Sequence, residues 1–259
     1  MGPSFGSVLR RGVCAGVLAG LAAAVTIWLV VEPVIRRALV VEDLRSVHGG
    51  SSAPAHGGGE PLVSRTAQVV GGAATSVLVG LAVGVVFAVV FARVRGRLPG
   101  GNDVGRSLGL AAVGFASVSL LPALKIPANP PAVGDPQTVG RRTLLYAVVL
   151  LLGVAIALVV PALDRALARR GVSRPTRSAL DVVAAVALVM VVLVAVPGSP
   201  DAVPADVPAA LLWDFRVASL AQLATLWLTL GLAFGLLVER LDRRGRVPER
   251  DGDVAVGPA

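Results

Sequence analysis

The sequence is poor in what soluble enzymes and metal-cluster proteins are built from. Its single cysteine, Cys14, lies inside the first apolar run, so the chain forms no intramolecular disulfide and no cysteine metal cluster. Charged residues make up only 15% of 259, against roughly 25% in a soluble domain. No phosphate-binding G-x-x-x-x-G-K-[ST] loop is present: the nearest string, GGNDVGRS, has neither the spacing nor the lysine. The H-E-x-x-H and C-x-x-C patterns are also missing. No chain of carboxylates or histidines stands in the middle of an apolar run to relay protons. These absences argue against an ATPase, a self-contained proton-coupled pump and an enzyme. No catalytic residue and no permanently bound cofactor is expected.

What the chain does have is apolar length. Hydrophobic residues reach 55% and the mean hydropathy is +0.79. Six runs, near 12–31, 69–92, 104–124, 143–163, 180–196 and 217–238, each approach the ~20 residues that cross a hydrocarbon core. Backbone groups have no partner in lipid, so such runs must be helices or a closed barrel, and a barrel shows short alternating segments instead. The expected fold is an all-α integral membrane protein, a bundle of about six transmembrane helices in the plasma (inner) membrane. The first run, preceded by Arg10 and Arg11, is longer than the ~7–15 residues of a signal-peptide core and reads as a retained span.

Arginine placement sets the expected topology. With six spans and the N-terminus inside, cytoplasmic segments hold sixteen of the 24 basic residues; if the third run fails to span, only ten remain inside. The positive-inside rule therefore favours six spans with both termini cytoplasmic. It also explains the +8 net charge without a nucleic-acid partner. Residues 32–68 form the longest expected loop, with a flexible Gly/Ser/Pro-rich middle, and residues 240–259 read as a disordered cytoplasmic tail. Glycines repeat at four-residue spacing at 12/16/20, 80/84, 105/109 and 231/235, a pattern that lets helix backbones approach.

One polar stretch lies tightly between two apolar runs: LLPALKIPANPPAVGDPQTVGRRTLLY, residues 120–146. Its prolines at 122, 127, 130, 131 and 136 rule out one continuous helix and push the preceding residues, Asn129 among them, towards extended geometry. Within it, LPALKIPANPPAVGDP followed by RRTLLY resembles the signature of CbtA-type proteins, predicted cobalt transporter subunits of bacteria. The likeness extends to the N-terminal span, the histidine-containing first loop and the later hydrophobic runs. The resemblance implies passage of cobalt(II) or a related divalent cation, often linked to cobalamin synthesis. It also implies a small single-span membrane partner rich in histidine.

Candidate ligands for such a cation are few. His48 and His56 lie eight residues apart in the first loop, and Glu32 and Asp214 stand at span ends on the same expected side as the proline motif. Solvated loop histidines and interfacial ion pairs are the alternative readings. The motif residues Lys125, Asn129, Pro130, Pro131 and Asp135 form an outer gate, a partner-docking element or a stiff connector. Lys125 would repel a cation, so it is expected to be structural or to pair with Asp135 or Glu32. Gln222, Thr225 and Thr229 share one face of the last run; they line a polar path or bond a neighbouring helix. The function so expected is a transporter membrane subunit without its own ATPase. The alternative is a non-transporting membrane scaffold whose outer loops dock a partner protein.

Overall fold

The first apolar run does not stop where charge begins. In the computed structural model, which describes residues 4–48, 64–131 and 133–244, α1 (Phe5–Thr26) passes through a π-turn (Ile27–Val31) into α2 (Glu32–His48). The loop expected from residue 32 is thus corrected, because a helix occupies its first part. Pro33 lacks an N–H, and in an α-turn its ring would collide with the carbonyl four residues back. The widened turn, closed by the Glu32 N–H on the Ile27 carbonyl, relieves that collision. Beyond it, Val34 and Ala38 are buried against Leu211 and Ala218 of the last helix, α8 (Ala209–Arg244). This packing sustains a helix whose charged sequence carries little apolar pattern.

The same device recurs in the third run. There α4 (Asp103–Gly114) continues through a π-turn (Phe115–Leu120) into α5 (Leu121–Lys125), with the Leu121 N–H on the Ala116 carbonyl and Pro122 next in line. The other long helices are α3 (Arg65–Val94), α6 (Val139–Arg169) and α7 (Arg174–Ala195). All regular structure among the described residues is helical. Among the described residues, six stretches are long and apolar enough to cross a membrane: Phe5–Leu44, Arg65–Arg97, Asp103–Lys125, Pro136–Arg169, Arg174–Ala195 and Ala209–Arg240. The third run, weakened in sequence by Ser117, Ser119 and Pro122, is among them. The last helix extends to Arg244, into the segment expected as a tail, and residues 245–259 lie outside the described residues.

Helix ends follow local chemistry. Ser64 and Asn102 cap α3 and α4, their side-chain oxygens accepting from the N–H groups of Ala67 (3.3 Å) and Gly105 (2.9 Å). Gly171, at φ +76°, ends α6 in the left-handed conformation that only glycine adopts cheaply.

Antiparallel packing of α1 on α3 makes the tightest seam. A Cβ on Gly80 would lie 2.5 Å from the Gly16 carbonyl oxygen and 2.6 Å from the Gly20 nitrogen, so the backbones themselves are in contact. Gly235 does the same for α8 against the Val104 backbone of α4, and Gly231 leaves space there for the Ala111 methyl group. Gly109, by contrast, faces open space, and Gly105 meets only the Asn102 cap. Between these pairs, Phe234 packs edge-on against Phe87 and Phe91 at 5.2 and 5.0 Å. A smaller cluster of Leu121, Val149 and Val192 fastens α6 and α7 to α5. Away from it, Leu151, Leu158, Val183 and Val194 are exposed, as lipid-facing side chains are. Because successive helices alternate in direction, α2, the proline loop and the 196–208 connector share one end of the bundle.

Candidate functional site

The proline motif folds into a fixed loop. Ile126, Pro130 and Val133 are buried, Pro130 completely. The Ile126 N–H donates to the Pro122 carbonyl (2.8 Å) and the Val133 N–H to that of Pro130 (3.2 Å). Asp135 caps a 3-10 turn at Pro136–Thr138, Oδ1 accepting from the Gln137 N–H at 2.8 Å. Asp135 is therefore used locally. Lys125, the only lysine in the chain, donates from Nζ to the Leu193 carbonyl at 2.7 Å. A cation there meets the unsatisfied carbonyls and negative dipole end of α7. Neither Asp135 nor Glu32 is its partner.

The hub of this end is Asp201, in the 196–208 connector. Its carboxylate, whose side chain is 0% exposed, accepts from Arg142 Nη1 (2.6 Å), Thr138 Oγ1 (2.5 Å) and Asn129 Nδ2 (3.3 Å). Asn129 in turn accepts from Arg216 Nη2 at 3.3 Å. One carboxylate thus joins the proline loop, the start of α6 and, through Asn129, the start of α8. Gly134, at φ +136°, keeps the loop backbone clear of Arg142: a Cβ there would sit 3.1 Å from Nη1.

The Thr138 hydroxyl is the largest influence on the Asp201 carboxyl and lowers its pKa below the ordinary 3.8. Burial opposes this, and the Arg142 guanidinium lowers it further. A carboxylate with a depressed folded value contributes stability that is present above 3.8 and lost as pH falls through the folded value. Thermal melting in detergent from pH 6 to pH 2 should therefore show the wild type losing stability below that point. Asp201→Asn should lose less over the same range, and equal losses would remove Asp201 as the acid-sensitive group.

The other carboxylates at this end are also held by arginine. Glu32, 5% exposed in its side chain, accepts from Arg36 (3.0 Å) and from two nitrogens of Arg65. Asp214 pairs with Arg37 at 3.0 Å. Beside them a cavity of about 710 Å³ opens between the proline loop and the first turns of α6 and α8. Arg142 and Arg216 supply its charge, Asn129, Thr143, Tyr146 and Ser219 further polar groups, and Leu124, Trp213 and Leu223 apolar wall. At the far end of the bundle, Asp103 is clamped by Arg95 and Arg106.

Over residues 5–239 the sequence matches the family model described as probable cobalt transporter subunit (CbtA). The chain belongs to the CbtA family. No curated protein and no solved structure matches it.

In this CbtA-family chain the residues singled out from sequence fall into three groups. Lys125, Asn129, Pro130, Pro131 and Asp135 lie in one loop, with Asn129 inside the Asp201 network. Glu32 and Asp214 occupy the same end but meet different arginines of α2. Gln222, Thr225 and Thr229 are half-buried on α8, with Thr225 donating to the Ala221 carbonyl of its own helix (2.8 Å). His48 closes α2, and His56 lies outside the described residues. Among the described residues, no three of His, Cys, Asp or Glu are grouped to hold a metal ion. Asp201, Thr138 and Arg216 are what the sequence did not flag. In the sequence Asp201 is only an acid in a short connector between two apolar runs.

Proposed function

We propose that this chain is the membrane-embedded subunit through which cobalt(II), or a related divalent cation, crosses the bacterial plasma membrane. Family membership over residues 5–239 carries the reading, and six apolar helices of spanning length support it. It is a transport subunit and not an enzyme. Lacking a nucleotide loop, it draws on a partner subunit or on the membrane potential, which favours inward cation movement by ~2.3 kcal/mol per charge per 100 mV. Both termini are cytoplasmic in this reading, and the proline loop faces outward, as the arginine distribution favours. Its partner is a small histidine-rich single-span protein, and the cargo feeds cobalamin synthesis. Capture falls to His48, His56, Glu32 and Asp214. Because Arg36, Arg65 and Arg37 already occupy the two carboxylates, an entering cation must exchange with a guanidinium. Gln222, Thr225 and Thr229 then offer neutral oxygens along α8.

The test is cellular accumulation of cobalt, nickel and zinc, with the chain expressed alone, expressed with its partner, and deleted from its host. Cobalt content should follow the chain. Unchanged metal content in all three settings, with the protein present in the membrane, would defeat the reading.

A non-transporting scaffold whose outer loops dock a partner protein is the second reading, favoured by one observation: the proline loop is held in a fixed shape through the Asp201 network. Gln222→Leu and Thr229→Val separate the two. Lost transport with normal assembly supports a path along α8, and lost assembly supports packing.

A further inference from the structure

The cavity at the proline-loop end has the wrong sign for a cation. Its wall carries two guanidinium groups, Arg142 and Arg216, and no carboxylate. Arg142 is balanced by Asp201 behind it. Arg216 is not balanced: its one hydrogen bond goes to the neutral Asn129 amide oxygen at 3.3 Å, and its Nε is buried without a partner. Among the described residues no carboxylate pairs with it. A buried N–H left without an acceptor costs about 1–3 kcal/mol, more when charged. Nε is sealed within the protein, but the guanidinium lines the cavity and Nη1 has no acceptor among the described residues, so the charge is open to an acceptor from outside.

Shape and depth identify that acceptor. The apolar part of the wall is built from Leu124 and Ile126 and from Trp213, Leu220 and Leu223, which share the face of α8 that carries Arg216. Arg216 lies seven residues into α8, about 10 Å along its axis. With 36 residues, roughly 54 Å, α8 overruns the ~30 Å hydrocarbon core on both sides. The guanidinium therefore falls near the head-group layer, and Trp213, 68% exposed, stands beside it as interfacial aromatics do. We infer that this cavity is an oxyanion site for the phosphate of an anionic phospholipid. Arg216 meets the phosphate through its Nη1 and Nη2 end, and an acyl chain lies along the Leu220–Leu223 wall. Arginine suits the role because its planar fork bonds two phosphate oxygens at once.

The experiment is native mass spectrometry of the full chain released from nanodiscs holding equal amounts of phosphatidylglycerol and phosphatidylcholine. The wild type should retain one phosphatidylglycerol about tenfold more often than phosphatidylcholine, the ratio expected of one charge-assisted contact. Arg216→Gln should bring the two lipids to parity, and Arg216→Lys should keep part of the preference. Arg141→Gln removes an equal charge from an exposed neighbour that does not line the cavity and should leave the preference intact. Parity in the wild type, or full preference in Arg216→Gln, would overturn the assignment. Thermal shift with inorganic phosphate in lipid-free detergent separates the two sources of the oxyanion. Stabilisation of the wild type but not of Arg216→Gln, together with lipid parity, would replace the lipid by a soluble phosphate.

Discussion

Asp201→Ala is expected to release the proline loop while leaving the helices in place. The substitution leaves the Arg142 guanidinium without a carboxylate and withdraws partners from Thr138 and Asn129 in one step. Breaking a buried pair by removing one member costs about 3–5 kcal/mol. Arg142 is 32% exposed, so water compensates in part and the lower bound of about 3 kcal/mol applies. That is roughly a hundredfold in the opening equilibrium. Amide exchange over residues 126–138 should accelerate by that factor, because local opening governs exchange in a loop fixed by so few contacts. The Phe87–Phe91–Phe234 cluster lies in another part of the bundle, and its helices should keep their protection. Unchanged exchange across 126–138 would mean that burial of Ile126, Pro130 and Val133 holds the loop without Asp201.

Gly80→Ala is expected to separate α1 from α3, although it adds one methyl group. That methyl would sit 2.5 Å from the Gly16 carbonyl oxygen and 2.7 Å from the Gly20 Cα. Both neighbours are backbone, so no rotamer change makes room and the rods must move apart. Overpacking of this kind costs about 1–3 kcal/mol, or roughly 2–12 °C in melting temperature for a chain of this size. Gly71→Ala, in the same helix, meets nothing within 4 Å and should gain about 0.5–1 kcal/mol from the better helix former. One substitution in one helix thus carries opposite signs, and melting of the two variants in detergent reads both. Equal melting temperatures would remove the backbone contact as the seam that holds α1 on α3.

These two positions also mark where sequence was legible and where it was not. The six spans were legible because lipid leaves a long apolar run only one way to satisfy its backbone. Gly12, Gly16 and Gly20 announced a close seam, but Gly105 and Gly109 carry the same spacing and make none. Spacing says which residues share a face; it does not say what stands opposite. Helix α2 was hidden because its support comes from Leu211 and Ala218, more than 170 residues away, and not from its own pattern. Asp201 was hidden for the same reason. It lies 63 residues from Thr138 and 72 from Asn129, and no local rule joins an acid in one connector to an amide in another. Arg216 stands two residues from Asp214 in the sequence, whereas the fold gives Asp214 to Arg37 and leaves Arg216 to the cavity.

The two π-turns have a consequence for phase. Each takes up one residue more than an α-turn would, so everything downstream is rotated by about 100° from where an unbroken helix would place it. In both rods the cation that ties the downstream part to another helix lies beyond that offset: Arg37 on Asp214 after the first turn, Lys125 on the Leu193 carbonyl after the second. A helical wheel drawn from residue 5 or residue 103 and carried to the end of the rod would point both side chains at the wrong neighbour. The prolines at 33 and 122 therefore do more than interrupt. They mark where each rod is re-indexed, and these two charged contacts, unlike the glycine seams of α1 and α4, fall after that mark.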